Sequence, residues 1–264
     1  MTAVVSLTFD DALPEHLDFV APLLNEHGFP GTFYVQLSST VLSQRADEWA
    51  AQAARGHELG NHTVFHPADA RKNWVTSANA IDDYTPERMR AELELANEWL
   101  QRLDGCSRRS FAYPCSTAVL GRPGVFRRMI RNTRLETTRV ATWLDSCSGP
   151  GETRVDYRPL AAELFTACRS GGLTLADPVP PVREYDRFLL PSASVEKCCC
   201  DDIKHFVERG LENGSWPILQ FHGVGGSHGQ NCEPNIFREL IEWMAASDLT
   251  VETVTAAASR FFSS

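Results

Sequence analysis

The sequence predicts a distorted (β/α) barrel of seven to eight units, folded as a single domain over residues 1–264. Three observations lead there. Short apolar runs alternate with longer amphipathic ones along the chain, which is how strands and helices of a parallel sheet read. The alternation repeats often enough to close a barrel. The 264 residues also suit an α/β barrel, which commonly folds as one domain of about 250 residues. No linker or low-complexity segment interrupts the pattern.

The elements follow in order. Val4–Phe9 reads as a strand and Leu17–Asn25 as a helix closed by Gly28. Thr32–Val35 is a β-branched and aromatic strand, Ala46–Arg55 a helix ending at Gly56, and Glu58–Asn61 a short strand. Residues 67–83 are polar and irregular. Thr85-Pro86-Glu87 then opens a helix, with Thr85 suited to the N-cap, Pro86 to the first turn, and Met89, Leu93, Ala96, Leu100 and Leu103 forming an apolar stripe. Ser110–Tyr113 is a strand. Val125–Arg131 and Arg158–Cys168 read as helices on either side of a strand over Val140–Trp143. Phe188–Leu190 is a strand, Val195–Asn213 a long helix, Trp216–Phe221 a strand, Ile236–Ala246 a helix, Thr250–Glu252 a strand and Val254–Phe262 a final helix.

Charge and cysteine usage exclude several classes. The formal net charge is -9, which does not favour nucleic acid or anionic membranes as partners. The nearest basic cluster is Arg127, Arg128, Arg131 and Arg134; three of these fall at helical spacing and read as a solvated helix face. None of the eight cysteines forms a C-x-x-C pair, so a structural zinc cluster is not indicated, and reduced thiols are the expectation. No apolar run reaches the roughly 18 residues of a membrane span. The chain as given shows no signal peptide, so the expectation is a cytoplasmic protein; a leader removed upstream would make it a secreted one.

Three stations carry chemistry. Asp10-Asp11 follows the first strand directly, at the end where (β/α) barrels place their active sites. Side chains alternate along an extended chain, so one carboxylate can face a metal while the other faces a substrate water; a turn or helix cap is the plainer use of such a pair. His62-Thr63-Val64-Phe65-His66 follows the third strand, and histidines at i and i+4 share one face of a helical turn, so both rings can reach one ion. His57 precedes that strand, on the opposite end, and reads as a surface or capping residue. His222 ends an apolar strand and opens Gly223-Val224-Gly225-Gly226, well placed for proton transfer, with glycines that let a ligand approach the backbone. Two histidines and a carboxylate are a familiar catalytic divalent-metal set that leaves positions open for water and substrate.

In order, Thr8-Phe9-Asp10-Asp11, His62 to His66, Phe111-Ala112-Tyr113-Pro114-Cys115 and Leu219-Gln220-Phe221-His222 resemble the motifs of the polysaccharide deacetylase family, also called carbohydrate esterase family 4 or the NodB homology group. The resemblance runs from Val4 to around Met244. It implies a distorted (β/α) barrel in which Asp11, His62 and His66 would bind one divalent metal ion, zinc first, with cobalt, nickel or manganese as alternatives. Asp10 would be the general base that activates the attacking water, and His222 the general acid. Tyr113 and Cys115 would fall with the oxyanion- and substrate-binding groups, Cys115 through its backbone N–H. Apart from the resemblance, residues 67–83 follow His66 and are expected to overhang the site, where Trp74 can either stack on a sugar ring or simply pack the loop.

The implied activity is removal of acetyl groups from an acetylated sugar or oligosaccharide, with N-acetyl amino sugars before O-acetyl sugars. The alternative is hydrolysis of a non-sugar amide, a cyclic ureide, imide or formamide, on the same fold. A catalytically dead carbohydrate-binding module is a third reading, and the presence of both Asp10 and His222 argues against it. The third motif departs from the family pattern, with Ala112 where an arginine is usual and Cys115 where a tyrosine is. That arginine normally orients the base, and Arg109 is the nearest substitute in sequence. For the fourth motif, an Asp and Trp region, Trp143-Leu144-Asp145 is the nearest match.

Overall fold

The computed structural model describes residues 3–130, 139, 140, 143, 149–226 and 228–262. Its framework is a parallel sheet of short strands: β1 Val4–Asp10, β2 Thr32–Val35, β3 Glu58–Asn61, β4 Phe111–Ala112, β5 Cys168–Arg169, β6 Ala193–Ser194, β7 Ile218–Phe221 and β8 Thr250–Val251. Seven of them run in the order β5-β4-β3-β2-β1-β7-β6, and β8 pairs with β1 through Val4–Thr250 and Val5–Val251. Isolated parallel bridges, Arg169 to Leu190 and Leu173 to Ala193, connect the two ends of that path. The result is the distorted (β/α) barrel expected from the alternation.

Strand β1 is buried along its whole length, as a central parallel strand covered on both faces must be. Its residues alternate in role. Phe9 stacks on Phe33 and Phe221 at 5.0 and 5.3 Å, and Phe237 from the helix Pro234–Ala246 meets it edge on at 5.8 Å. Its neighbour Asp10 ends the strand at the functional face. The long helix Pro86–Asp104 forms as its sequence dictates. Thr85 caps it by accepting the Arg88 N–H, Gly105 ends it in the left-handed conformation, and Met89, Leu93, Ala96 and Leu100 are buried.

Several elements differ from expectation, and each difference has a local cause. The Leu17–Asn25 helix begins as a π-turn, His16–Val20, before the α-helix Ala21–Glu26. Arg158–Cys168 is helical only to Leu164; Thr166 and the residues after it leave the helix to build β5, whose Cys168 and Arg169 pair with Phe111 and Ala112. The long helix expected from Val195 starts only at Cys200, where Cys199 and Asp202 form a capping box, and the preceding Ala193–Ser194 is strand β6 rather than Phe188–Leu190. Of the strand expected over residues 140–143, the described positions are helical. Leu144 and Asp145 of the fourth-motif candidate, with Arg131, Arg134 and Cys147, lie outside the described residues. The seven described cysteines carry free thiols, and no described helix is long and apolar enough to cross a membrane.

Candidate active site

The C-terminal strand ends collect the predicted residues around one cavity of about 690 Å³, lined by Asp10, Asp11, His62, His66, Cys115 and His222 among others. The backbone there is strained. Of seven described non-glycine residues with positive φ, six belong to these loops: Asp11, Ala12, Thr63, His66, Cys115 and Ser116. Such conformations cost energy, and they persist only where the surroundings over-determine them.

Residues 62–66 are not the helical turn that the i, i+4 spacing suggested. They form a bend in which Thr63 and His66 adopt φ of 67° and 50°. Asn61 Oδ1 accepts the Thr63 N–H at 2.8 Å, Thr63 Oγ1 accepts the His66 N–H at 2.9 Å, and the buried Glu92 reaches the Phe65 N–H at 3.4 Å. This bend brings the two imidazoles together, with ring centroids 4.8 Å apart. His62 donates from Nδ1 to the Ala112 carbonyl at 2.8 Å, which leaves its Nε2 lone pair facing the cavity.

Asp11 Oδ1 lies 3.6 Å from His62 Nε2 and 3.5 Å from His66 Nε2. That oxygen is buried and has no hydrogen-bond partner. A buried, orphaned carboxylate oxygen facing two imidazole nitrogens is a donor set that a divalent cation would satisfy. Among the described residues these three form the one group of His, Cys, Asp and Glu side chains close enough to share an ion.

Asp10 is separated in role from its neighbour by its partners. Arg169 Nη2 donates to both its oxygens, at 2.7 and 2.6 Å, and Gln220 Nε2 donates to Oδ2 at 3.1 Å. Burial pushes the Asp10 carboxyl up, but the charge of Arg169, then those of His62 and His222, and the Arg169 hydrogen bond outweigh it and hold the group down to about 2. His222 Nε2 stands 3.8 Å from Asp10 Oδ2. Burial depresses the His222 imidazole below its ordinary value, against the pull of Asp10 and Asp11. The His222 carbonyl accepts the Nε2–H of buried His16 at 2.8 Å, and His16 Nδ1 accepts the Leu13 N–H at 3.2 Å, so the π-turn after Asp11 is tied to the loop that carries His222.

Residues 2–119 match the family model described as polysaccharide deacetylase. A chitooligosaccharide deacetylase of Bradyrhizobium sp. (strain ANU 289) is 31% identical over 100 residues, 33% of this chain and 43% of that protein. Over residues 2–119, somewhat under half of its length, the chain is thus similar to the polysaccharide deacetylase family. A gellan lyase of Bacillus sp. is 26% identical over 183 residues, 67% of this chain and 7% of that protein, so the chain spans less than half the length of the curated relatives it matches. Among solved structures, a candidate polysaccharide deacetylase from Mycobacterium smegmatis superposes with a TM-score of 0.63 at 15% identity, covering 99% of this chain and 91% of that one. A family 4 acetyl xylan esterase from Clostridium thermocellum, in complex with a cobalt ion, gives 0.53 at 17% identity, covering 97% and 90%. These likenesses establish the shared fold.

Four residues stand elsewhere than the sequence suggests, and four more belong to the site that it does not mark. Arg109 does not approach Asp10; it is buried on Asp104 and the Leu59 and Cys106 carbonyls. Tyr113 turns its side chain into the core against Phe111 and Tyr157, its hydroxyl donating to the Phe188 carbonyl, and does not line the cavity. His57 is neither exposed nor a simple cap: it is buried edge-on to Phe33 and accepts the Gly31 N–H at 2.9 Å. The space over Gly226 is taken by the Glu15 carboxylate of the same chain, not left for a ligand. Trp74 does line the cavity, 47% exposed, its ring 5.5 Å from that of His66. Overlooked were Arg169, Gln220, His16 and His228. Gln220 had a signal, as the lone polar residue in the run Ile218-Leu219-Gln220-Phe221. Arg169 had none, because the helical reading of its segment hid the strand.

Proposed function

We propose that this protein is a metal-dependent hydrolase that removes acetyl groups from an acetylated carbohydrate, with N-acetyl amino sugars preferred over O-acetyl sugars. The observation that carries the reading is the orphaned Asp11 Oδ1 facing His62 and His66, directly beside an Asp10 clamped in its ionised form. Asp11, His62 and His66 would hold one divalent ion, with zinc the first choice. Bound there, it would supply Lewis-acid polarisation of the scissile carbonyl and acidification of a water.

This chain's own residues do the rest. Asp10 is anionic at neutral pH and accepts the proton of the attacking water; its low pKa makes it a weak base by itself, so it depends on that water being acidified. His222, across from Asp10, donates a proton to the leaving amine. Cys115, in left-handed backbone beside the cavity, offers its N–H to the developing oxyanion. Trp74 and the half-exposed Phe65 give the cavity rim aromatic faces on which a sugar ring can lie. The preference for an amide is supported by the likeness to a chitooligosaccharide deacetylase. Ala112 leaves Asp10 without the arginine usual in the third motif, and Arg169 supplies a guanidinium to Asp10 from the adjacent strand, which supports the sugar reading over the alternative.

The test is acetate release by metal-reconstituted protein from N-acetylated chito-oligomers, acetylated xylan, cyclic ureides and formamides. The reading expects the chito-oligomers to turn over fastest. Turnover of cyclic or formyl amides with no acetate released from any sugar would reject it.

A further inference from the structure

A second histidine faces the aspartate pair. Gly223–Val224 pairs with Asn231–Cys232, and His228, which lies between them in sequence, lines the cavity. The His228 ring lies parallel to that of His222, with centroids 5.1 Å apart and 6° between planes. Each ring addresses a different aspartate: His222 Nε2 is 3.8 Å from Asp10 Oδ2, and His228 Nε2 is 3.8 Å from Asp11 Oδ2. Asp11 thus presents Oδ1 to His62 and His66 and Oδ2 to His228.

The other ring nitrogen fixes what His228 can give. Nδ1 stands 3.2 Å from the Gln230 N–H, which donates to it in one tautomer, and 3.1 Å from the Gln230 carbonyl, which accepts from it in the other. The Asp11 carboxylate 3.8 Å from Nε2 selects between them: it favours the tautomer with the proton on Nε2 and Nδ1 as acceptor of the Gln230 N–H. A donor on the outer oxygen of a ligating carboxylate fixes its orientation and holds it to one-oxygen ligation, which keeps coordination positions free.

We propose that His228 is a positioning residue for the metal centre, donating its Nε2–H to Asp11 Oδ2 and holding Asp11 in the orientation that directs Oδ1 to the ion. A closure of under about 1 Å converts the present separation into a hydrogen bond of ordinary length. The inference rests on the proposal that Asp11, His62 and His66 form a metal site.

The experiment measures cobalt(II) affinity by competition with a chromophoric chelator, together with the visible spectrum of the bound ion. It uses the full chain and its Asp11→Asn, His228→Ala, His228→Phe and His228→Gln variants. His228→Phe keeps a ring against His222 but has no N–H, so it separates stacking from donation and replaces the alanine variant should that one not fold. Loss of a donor behind a ligand typically weakens binding about 10–100-fold, which is expected for both the Ala and Phe variants, with Gln restoring most of it through its amide N–H. Wild-type affinity in His228→Phe, alongside weakened binding in Asp11→Asn, would overturn the role of His228 and leave the metal site standing. A much larger loss with a changed absorption intensity would make His228 a direct ligand and overturn the positioning role. No difference between wild type and Asp11→Asn would reject the metal site and this inference with it.

Discussion

Arg169 stands opposite Ala112 in the parallel ladder of β4 and β5, and its Nη2 lies 2.7 and 2.6 Å from the two oxygens of Asp10. The guanidinium that the family pattern places on one strand therefore comes from the adjacent strand, at the same height in the barrel. Both partners are almost fully buried, at 1% and 2% side-chain exposure. Removing one member of such a pair leaves an uncompensated charge and typically costs about 3–5 kcal/mol. Arg169→Ala should lower the melting temperature and reduce kcat/KM for acetate release by about 10²–10⁴-fold, the range of a lost general base. Because Ala112 is its register partner, adding Ala112→Arg to that variant should recover part of both losses. An Arg169→Ala enzyme with wild-type kcat/KM would show that the clamp on Asp10 is dispensable.

The two aspartates should separate in metal content. Asp11→Asn and His66→Ala each remove a donor from the three side chains that, among the described residues, lie close enough to share an ion, and purified protein should carry well below one equivalent of metal after reconstitution. Asp10→Asn should keep the metal, since its oxygens are engaged by Arg169 and Gln220, and should lose about 10²–10⁴-fold in turnover. Elemental analysis of the three variants decides. Equal metal loss in Asp10→Asn and Asp11→Asn would mean that the assigned roles are wrong.

A pH dependence of stability follows from buried imidazoles away from the chemistry. Burial, aided by Arg55, pushes the His57 imidazole down to about 4 from 6.5. The unfolded chain takes up that proton near 6.5 and the folded protein only near 4, so the unfolded state binds more protons in between. The stability is whole above 6.5, falls as pH drops towards 4, and is not eroded further by this group below that. A shift of this size corresponds to about 3 kcal/mol. Urea unfolding at about pH 7.5 and about pH 4.5 should show a smaller acid-induced loss in His57→Asn, whose Oδ1 can still accept the Gly31 N–H. An identical loss in both proteins would exclude His57 as a source.

What the sequence made legible was whatever short-range order carries. Asp10-Asp11 and His222 could be placed because an apolar run ends at each, and the helix capped by Thr85 begins where a capping residue stands. The pair His62 and His66 was found by spacing but for the wrong geometric reason: a strained bend, not a helical face, makes the rings converge. Arg169 and His228 were out of reach because their partners are distant in sequence. Arg169 lies 159 residues from Asp10, and strand β5 has two residues, too few to show a period of two. Arg109 is the arginine nearest to Ala112 in sequence, and such proximity says nothing about adjacency across a barrel.

The role of His222 can be isolated through the leaving group. An amine leaves as an anion only with great difficulty and must be protonated, whereas the phenolate of an aryl acetate leaves unaided. If His222 supplies that proton, His222→Ala should lose about 10²–10⁴-fold on an N-acetyl sugar and far less on an aryl acetate. The pH profile gives an independent reading. His222 donates only while protonated, so the acid form disappears as pH rises through its pKa, which burial has set below the ordinary histidine value. Amide turnover by the wild type should therefore decline on the alkaline side, and His222→Ala should lack that limb on the amide while the aryl acetate profile is unchanged in shape. A residue that merely braced the glycine-rich loop, through the bond from His16 to the His222 carbonyl, would act on both substrates alike. His16→Ala supplies that comparison, since it removes the brace and keeps the imidazole. Equal losses on both substrates in His222→Ala, with the alkaline limb intact, would assign His222 to bracing and leave the proton donor to be sought elsewhere in the cavity.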